Sequence, residues 1–275
     1  MSDFFNQIAT MFSYSFMVRA MFIGGLVALC ASLLGVILVL KRYSMIGDGL
    51  SHVSFGAMAV GLAFNQAPLY VAIPVVIVAA YLLLRVSENS KIKGDAAIGL
   101  IASSSIAIGI IINTLSKGTN IDLNSYMFGS ILAINKEDSV LCIILGIVIL
   151  VVFIYCYHYI FAITFDENFA KACGIKIEIH KTILAILTAL TVVIGMRIMG
   201  TLLISSLIIF PAVTSMRIFK RFKPVLISSV AISMFSYFVG MIASYMLEIP
   251  TGASIVVCNM CVFIFATVIA KILKK

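Results

Sequence analysis

Charge is what this sequence has least of. Only 11% of its 275 residues are Asp, Glu, Lys or Arg, where a soluble domain carries roughly 25%. A chain of this length folding in water could not hide a hydrophobic share of 63%, because its surface would need polar cover. A soluble enzyme, a nucleic-acid binder and a disordered protein are thereby excluded. No GxxxxGKS or GxxxxGKT phosphate loop occurs, and no stretch is large and polar enough to build a soluble domain around one. The HExxH of a membrane protease is also missing. The opening MSDFFNQIATMFSYSF has neither the basic start nor the small-residue cleavage site of a secretory signal, so none is expected. The 6 cysteines lie mostly in apolar runs, where a thiol acts as a small hydrophobe and no disulfide framework is suggested.

What the sequence has in excess is apolar blocks. A membrane-crossing helix needs about 20 mainly apolar residues. Candidate spans are 17–40, 49–64, 68–84, 96–115, 139–160, 182–196, 198–216, 224–247 and 251–270. The pair 182–196 and 198–216, split at Arg197 and marked by Gly195 and Gly200, reads as two short helices or one broken one. The expected fold is all-α, a single polytopic membrane helical bundle over 1–275 with eight to nine transmembrane helices. The net charge of +8 then reflects basic cytoplasmic loops, not a nucleic-acid partner. With nine spans and the C-terminus inside, only Arg19, Lys117, Lys136 and Arg197 of the 19 basic residues lie outside. That asymmetry favours nine spans and an outside N-terminus. The longest inside loop, 159–181, contains Asp166 before a short helical stretch and Gly174 where that stretch would end. It reads either as a docking element or as a plain link.

One place in the spans carries chemistry. Asp48 and His52 lie four apart in GDGLSHVSFGAMAVGLAF, so a helix puts them on one face. An ionisable residue within a span is a functional candidate, and carboxylate plus imidazole suits a divalent first-row metal. Small neighbours such as Gly56, Ala59 and Gly61 allow close packing or leave room for a pathway. The competing reading makes Asp48 an N-cap and His52 a satisfied polar residue one turn in. Cys258 and Cys261 read as packing, His158 as interfacial, His180 as a loop residue, and Asp122 and Glu248 as parts of outer turns.

Four stretches together resemble the membrane permease of bacterial zinc, manganese and iron ABC importers, the ABC-3 family. They are KRYSMIGDGLSHVSFGAMAVGLAF, DLNSYMFGSILAINKED, FDENFAKACGIK and MRIMGTLLISSLIIFPAVTSMRI, in that order and nearly end to end. The resemblance implies a type II ABC importer-like fold in the cytoplasmic membrane. It implies a permease that is not an enzyme, paired with a second copy of itself, a cytoplasmic ATPase dimer and an extracytoplasmic metal-binding protein. It places Asp48 and His52 on the metal path, and Asp166, Glu167, Ala170 and Gly174 on the helix that couples to the ATPase. No resident cofactor is expected, since zinc or manganese is cargo. The wording of the outer segment leans toward zinc; manganese or ferrous iron is the alternative. A gradient-driven secondary transporter is a further rival, though it would be expected to show more intramembrane acids or inverted repeats.

Overall fold

A computed structural model describes residues 10–89, 94–115 and 136–272. Every element named here is a helix: α1 (Ser15–Leu40), α2 (Ile46–Ala63), α3 (Pro68–Asn89), α4 (Gly94–Leu115), α5 (Lys136–Phe165), the short α6 (Glu167–Ala172), α7 (Ile177–Met199), α8 (Thr201–Ile218), α9 (Phe222–Leu247) and α10 (Thr251–Ile272). Eight of the described helices are long and apolar enough to cross a membrane. In lipid every backbone N–H and C=O must be satisfied within the segment, which a helix does. The eight do not include α2. It has 18 residues but carries Asp48, Ser51, His52 and Ser54, and most of it is buried in the protein.

The chain divides into two compact units. One comprises Met1–Val36, Asp122–Ile143 and Ile194–Lys275; the other comprises Ile37–Ile121 and Ile144–Val193. In the first, α8, α9 and α10 pack on one another, and α9 is stitched to α1 by hydroxyls. Ser229 Oγ donates to the Ser32 carbonyl at 3.3 Å, Ser233 Oγ to Ala28 at 3.0 Å and the Tyr237 hydroxyl to Ala20 at 2.8 Å. The three donors stand at i, i+4 and i+8, one stripe of α9. Arg197 near the end of α7 is paired with Asp138 at the start of α5, 3.0 Å apart, as a cation close to apolar surroundings requires.

Gly200 resolves the broken segment. Its φ of +84° is a left-handed value that glycine adopts without a side-chain penalty, so α7 ends and α8 begins across one residue. α5 overruns the sequence expectation at its far end. Residues 159–165 belong to this helix and not to the loop, because YIFAITF continues the apolar run. Its 30 residues span about 45 Å, more than the roughly 30 Å hydrocarbon layer, so its ends project or the helix tilts. The connection between α5 and α7 is therefore 166–176. The outer segment 122–135 lies outside the described residues.

In the second unit α2 packs against α3 and α4. The α1–α2 connection is tight. Arg42 adopts φ +61°, and Tyr43 N–H reaches back to the Leu38 carbonyl at 2.7 Å, closing α1 in a Schellman motif. That turn sets where α2 starts, and with it the height of Asp48.

Candidate metal path and coupling helix

Asp48 is the third residue of α2, inside the helix and not at its N-cap position. The N-cap is Met45, which makes no side-chain cap bond. From Ile46 to Ala59 every residue of α2 is buried except Asp48 and His52. Their side chains are 39% and 22% exposed, and Nε2 of His52 lies 3.7 Å from Oδ2 of Asp48. Two ligands of a tetrahedral zinc, each about 2.0–2.1 Å from the ion, stand about 3.3 Å apart. A small rotation therefore brings both atoms onto one ion. Further along the same face, Phe55 and Ala59 are buried, so the opening on this face ends at His52.

Glycine holds this turn in place. A Cβ on Gly49 would meet the Ile98 methyl at 2.5 Å, and one on Gly56 would meet the Ser105 carbonyl oxygen at 2.6 Å. α2 thus lies almost backbone to backbone on α4, by the close approach that small residues permit. Among the described residues no group of three or more His, Cys, Asp or Glu could hold a metal. A full four-ligand set needs donors beyond this pair, and two-fold pairing would supply them. Cys258 and Cys261 are free thiols, half-buried and exposed.

The expected caps of the loop helix are present. Asp166, in extended conformation, accepts the Phe169 N–H at 2.9 Å, the N-cap bond that fixes the first turn. Gly174 has φ +79°, with Gly174 N–H to the Lys171 carbonyl at 3.0 Å and Ile175 N–H to Ala170 at 3.1 Å, a full Schellman ending. Ala170 is completely buried beneath α6, while Phe169 stands 65% exposed.

Glu167 does what no local pattern announced. It receives Nζ of Lys41 and Nζ of Lys181, each at 2.8 Å, and so ties α6 to the end of α1 and the start of α7. Burial opposes its ionisation, but the bonds from Lys181 and Lys41 outweigh burial and hold its carboxyl below the ordinary 4.5. A depressed carboxylate contributes stability above its ordinary value and loses it as pH falls through the folded one. The clamp is therefore complete at neutral pH and opens only below 4.5. Because Glu167 is 42% exposed, solvent screening keeps the clamp to roughly 1 kcal/mol. Glu167→Gln is expected to speed hydrogen exchange of the amides of 173–175 about fivefold at neutral pH. Equal exchange in both proteins would show that its caps and Ala170 packing hold α6 without the clamp.

Comparisons with known proteins agree in kind. The model of the ABC 3 transport family matches residues 13–270. The chain is 32% identical over 248 residues to the high-affinity zinc uptake system membrane protein ZnuB of Haemophilus influenzae, covering 90% of this chain and 95% of that one. It is 27% identical over 263 residues to the manganese transport system membrane protein MntC of Halalkalibacterium halodurans, covering 96% and 89%. Among solved structures, PsaBC from Streptococcus pneumoniae in complex with Fab is similar with a TM-score of 0.84 at 27% identity, covering 95% of this chain and 94% of that chain.

Proposed function

The chain belongs to the ABC 3 transport family, a multi-pass membrane permease whose ATPase is a separate subunit, and from that premise we propose that it moves a divalent metal ion, zinc first, into the cytoplasm. The observation that carries this reading is that Asp48 and His52 alone break the buried surface of α2 over 46–59, 3.7 Å apart. One imidazole and one carboxylate per chain, doubled by a second copy, make a four-coordinate N2O2 set that suits zinc. A metal-binding protein delivers the ion from outside. The ATPase dimer seats on α6, which offers exposed Phe169 on a clamped and doubly capped turn. ATP-driven movement of that turn switches access.

The test is uptake of labelled zinc into proteoliposomes holding the permease with its ATPase and binding protein. ATP-dependent uptake is expected, with unlabelled manganese competing at least about 10-fold more weakly than unlabelled zinc, as the affinity order of N/O sites predicts. Competition by manganese at parity or better would reassign the cargo. Uptake by the permease alone under an ion gradient would replace the ABC mechanism.

A further inference from the structure

Beside the turn of α6 lies a cavity of about 190 Å³ whose lining includes neither Asp48 nor His52. Its walls carry Lys41 and Tyr43 from the α1–α2 connection, Tyr81 and Arg85 from α3, and Glu178 and Lys181 from the first turns of α7. All three cations lie on the side that the distribution of basic residues assigns to the cytoplasm. They are also pre-positioned. Lys41, only 8% exposed, and Lys181, 17% exposed, are each held by Glu167. Arg85 donates from Nη1 to the Tyr81 hydroxyl at 2.6 Å, and its guanidinium lies 5.8 Å from the Tyr81 ring.

Three cations face two carboxylates, Glu178 in the wall and Glu167 behind the lysines. The surplus is a single positive charge at the ends of three candidate membrane spans, α1, α3 and α7, where lipid headgroups would lie. Tyrosines favour that depth, and the buried Leu84 and Leu184 complete an apolar floor. We propose that this cavity binds a phosphate group, with the Arg85 fork making the directional contacts and Lys41 and Lys181 supplying point charge. The source with the matching single charge is the phosphodiester of an anionic phospholipid; free phosphate shares the chemistry and is the alternative source. The proposal does not depend on the identity of the transported ion.

The test uses purified full-length permease in detergent, titrated separately with phosphatidylglycerol, phosphatidylcholine and inorganic phosphate, and read by native mass spectrometry and by melting temperature. Phosphatidylglycerol is expected to be retained over phosphatidylcholine, and Arg85→Gln to lower that retention about fivefold while leaving phosphatidylcholine unchanged. If inorganic phosphate stabilises the protein in an Arg85-dependent way and phosphatidylglycerol does not, the phosphate site stands with a soluble source. Equal retention of both lipids by the wild-type protein, with no stabilisation by phosphate, overturns the proposal, and this comparison needs no variant to fold. Retention of phosphatidylglycerol by Arg85→Gln at the wild-type level would overturn it as well.

Discussion

Replacing Asp48 or His52 by alanine is expected to lower zinc uptake by the reconstituted importer about 100-fold or more, because loss of even an outer-shell partner of a metal costs 10–100-fold. The loss should fall on transport and not on folding. The pair is separated by 3.7 Å and partly open to solvent, so as an ion pair it contributes at most about 1 kcal/mol. Melting temperature and co-purification with the ATPase should therefore stay near wild type. The double variant is the sharper measurement. If both side chains hold one ion, removing the second ligand adds little once the first is gone, and the two effects combine far short of additively. Full additivity would mean that each residue meets the ion separately. Uptake unchanged in His52→Ala would remove the imidazole from the path altogether.

The pair itself was legible in the sequence, because a spacing of four has one meaning on a helix. Its openness was not. Met45 and not Asp48 occupies the N-cap, and only the burial of all other residues over 46–59 shows that these two side chains face space. The caps of α6 were legible for the same local reason: an Asp before a helix and a Gly after it act within their own turn. The Glu167 clamp was not, since Lys41 lies 126 residues away and no local period links them. The break at Gly200 stayed ambiguous because a glycine between apolar runs permits a kink as readily as a stop; the φ of +84° decides it. The overrun of α5 to Phe165 shows the limit of hydropathy, which registers apolar length but not whether a helix continues past the lipid.

The closeness of α2 to α4 leads to the second large effect. A Cβ at Gly56 would lie 2.6 Å from the backbone oxygen of Ser105 and 3.2 Å from its carbonyl carbon, and a Cβ at Gly109 would come within 3.0 Å of the Gly56 Cα. Backbone cannot rotate aside as the Ile98 methyl facing Gly49 can, so even alanine at Gly56 forces the helices apart by roughly 1 Å, an overpacking penalty of about 1–3 kcal/mol. Asp48 and His52 ride on the displaced helix two turns and one turn away. Displacements of about 1 Å at a functional site can reduce a rate about 100-fold. Gly56→Ala is therefore expected to lower the melting temperature and to reduce zinc uptake at least about 10-fold with both side chains of the pair intact. Gly99→Ala is the control on α4. Nothing lies within 4 Å of its added Cβ, and replacing an open helical glycine by alanine contributes up to about 1 kcal/mol of stability, so melting temperature should hold or rise and uptake stay unchanged. Wild-type melting and uptake in Gly56→Ala would show that the α2–α4 contact can open without moving the site, and that something other than this glycine pair sets the position of Asp48 and His52.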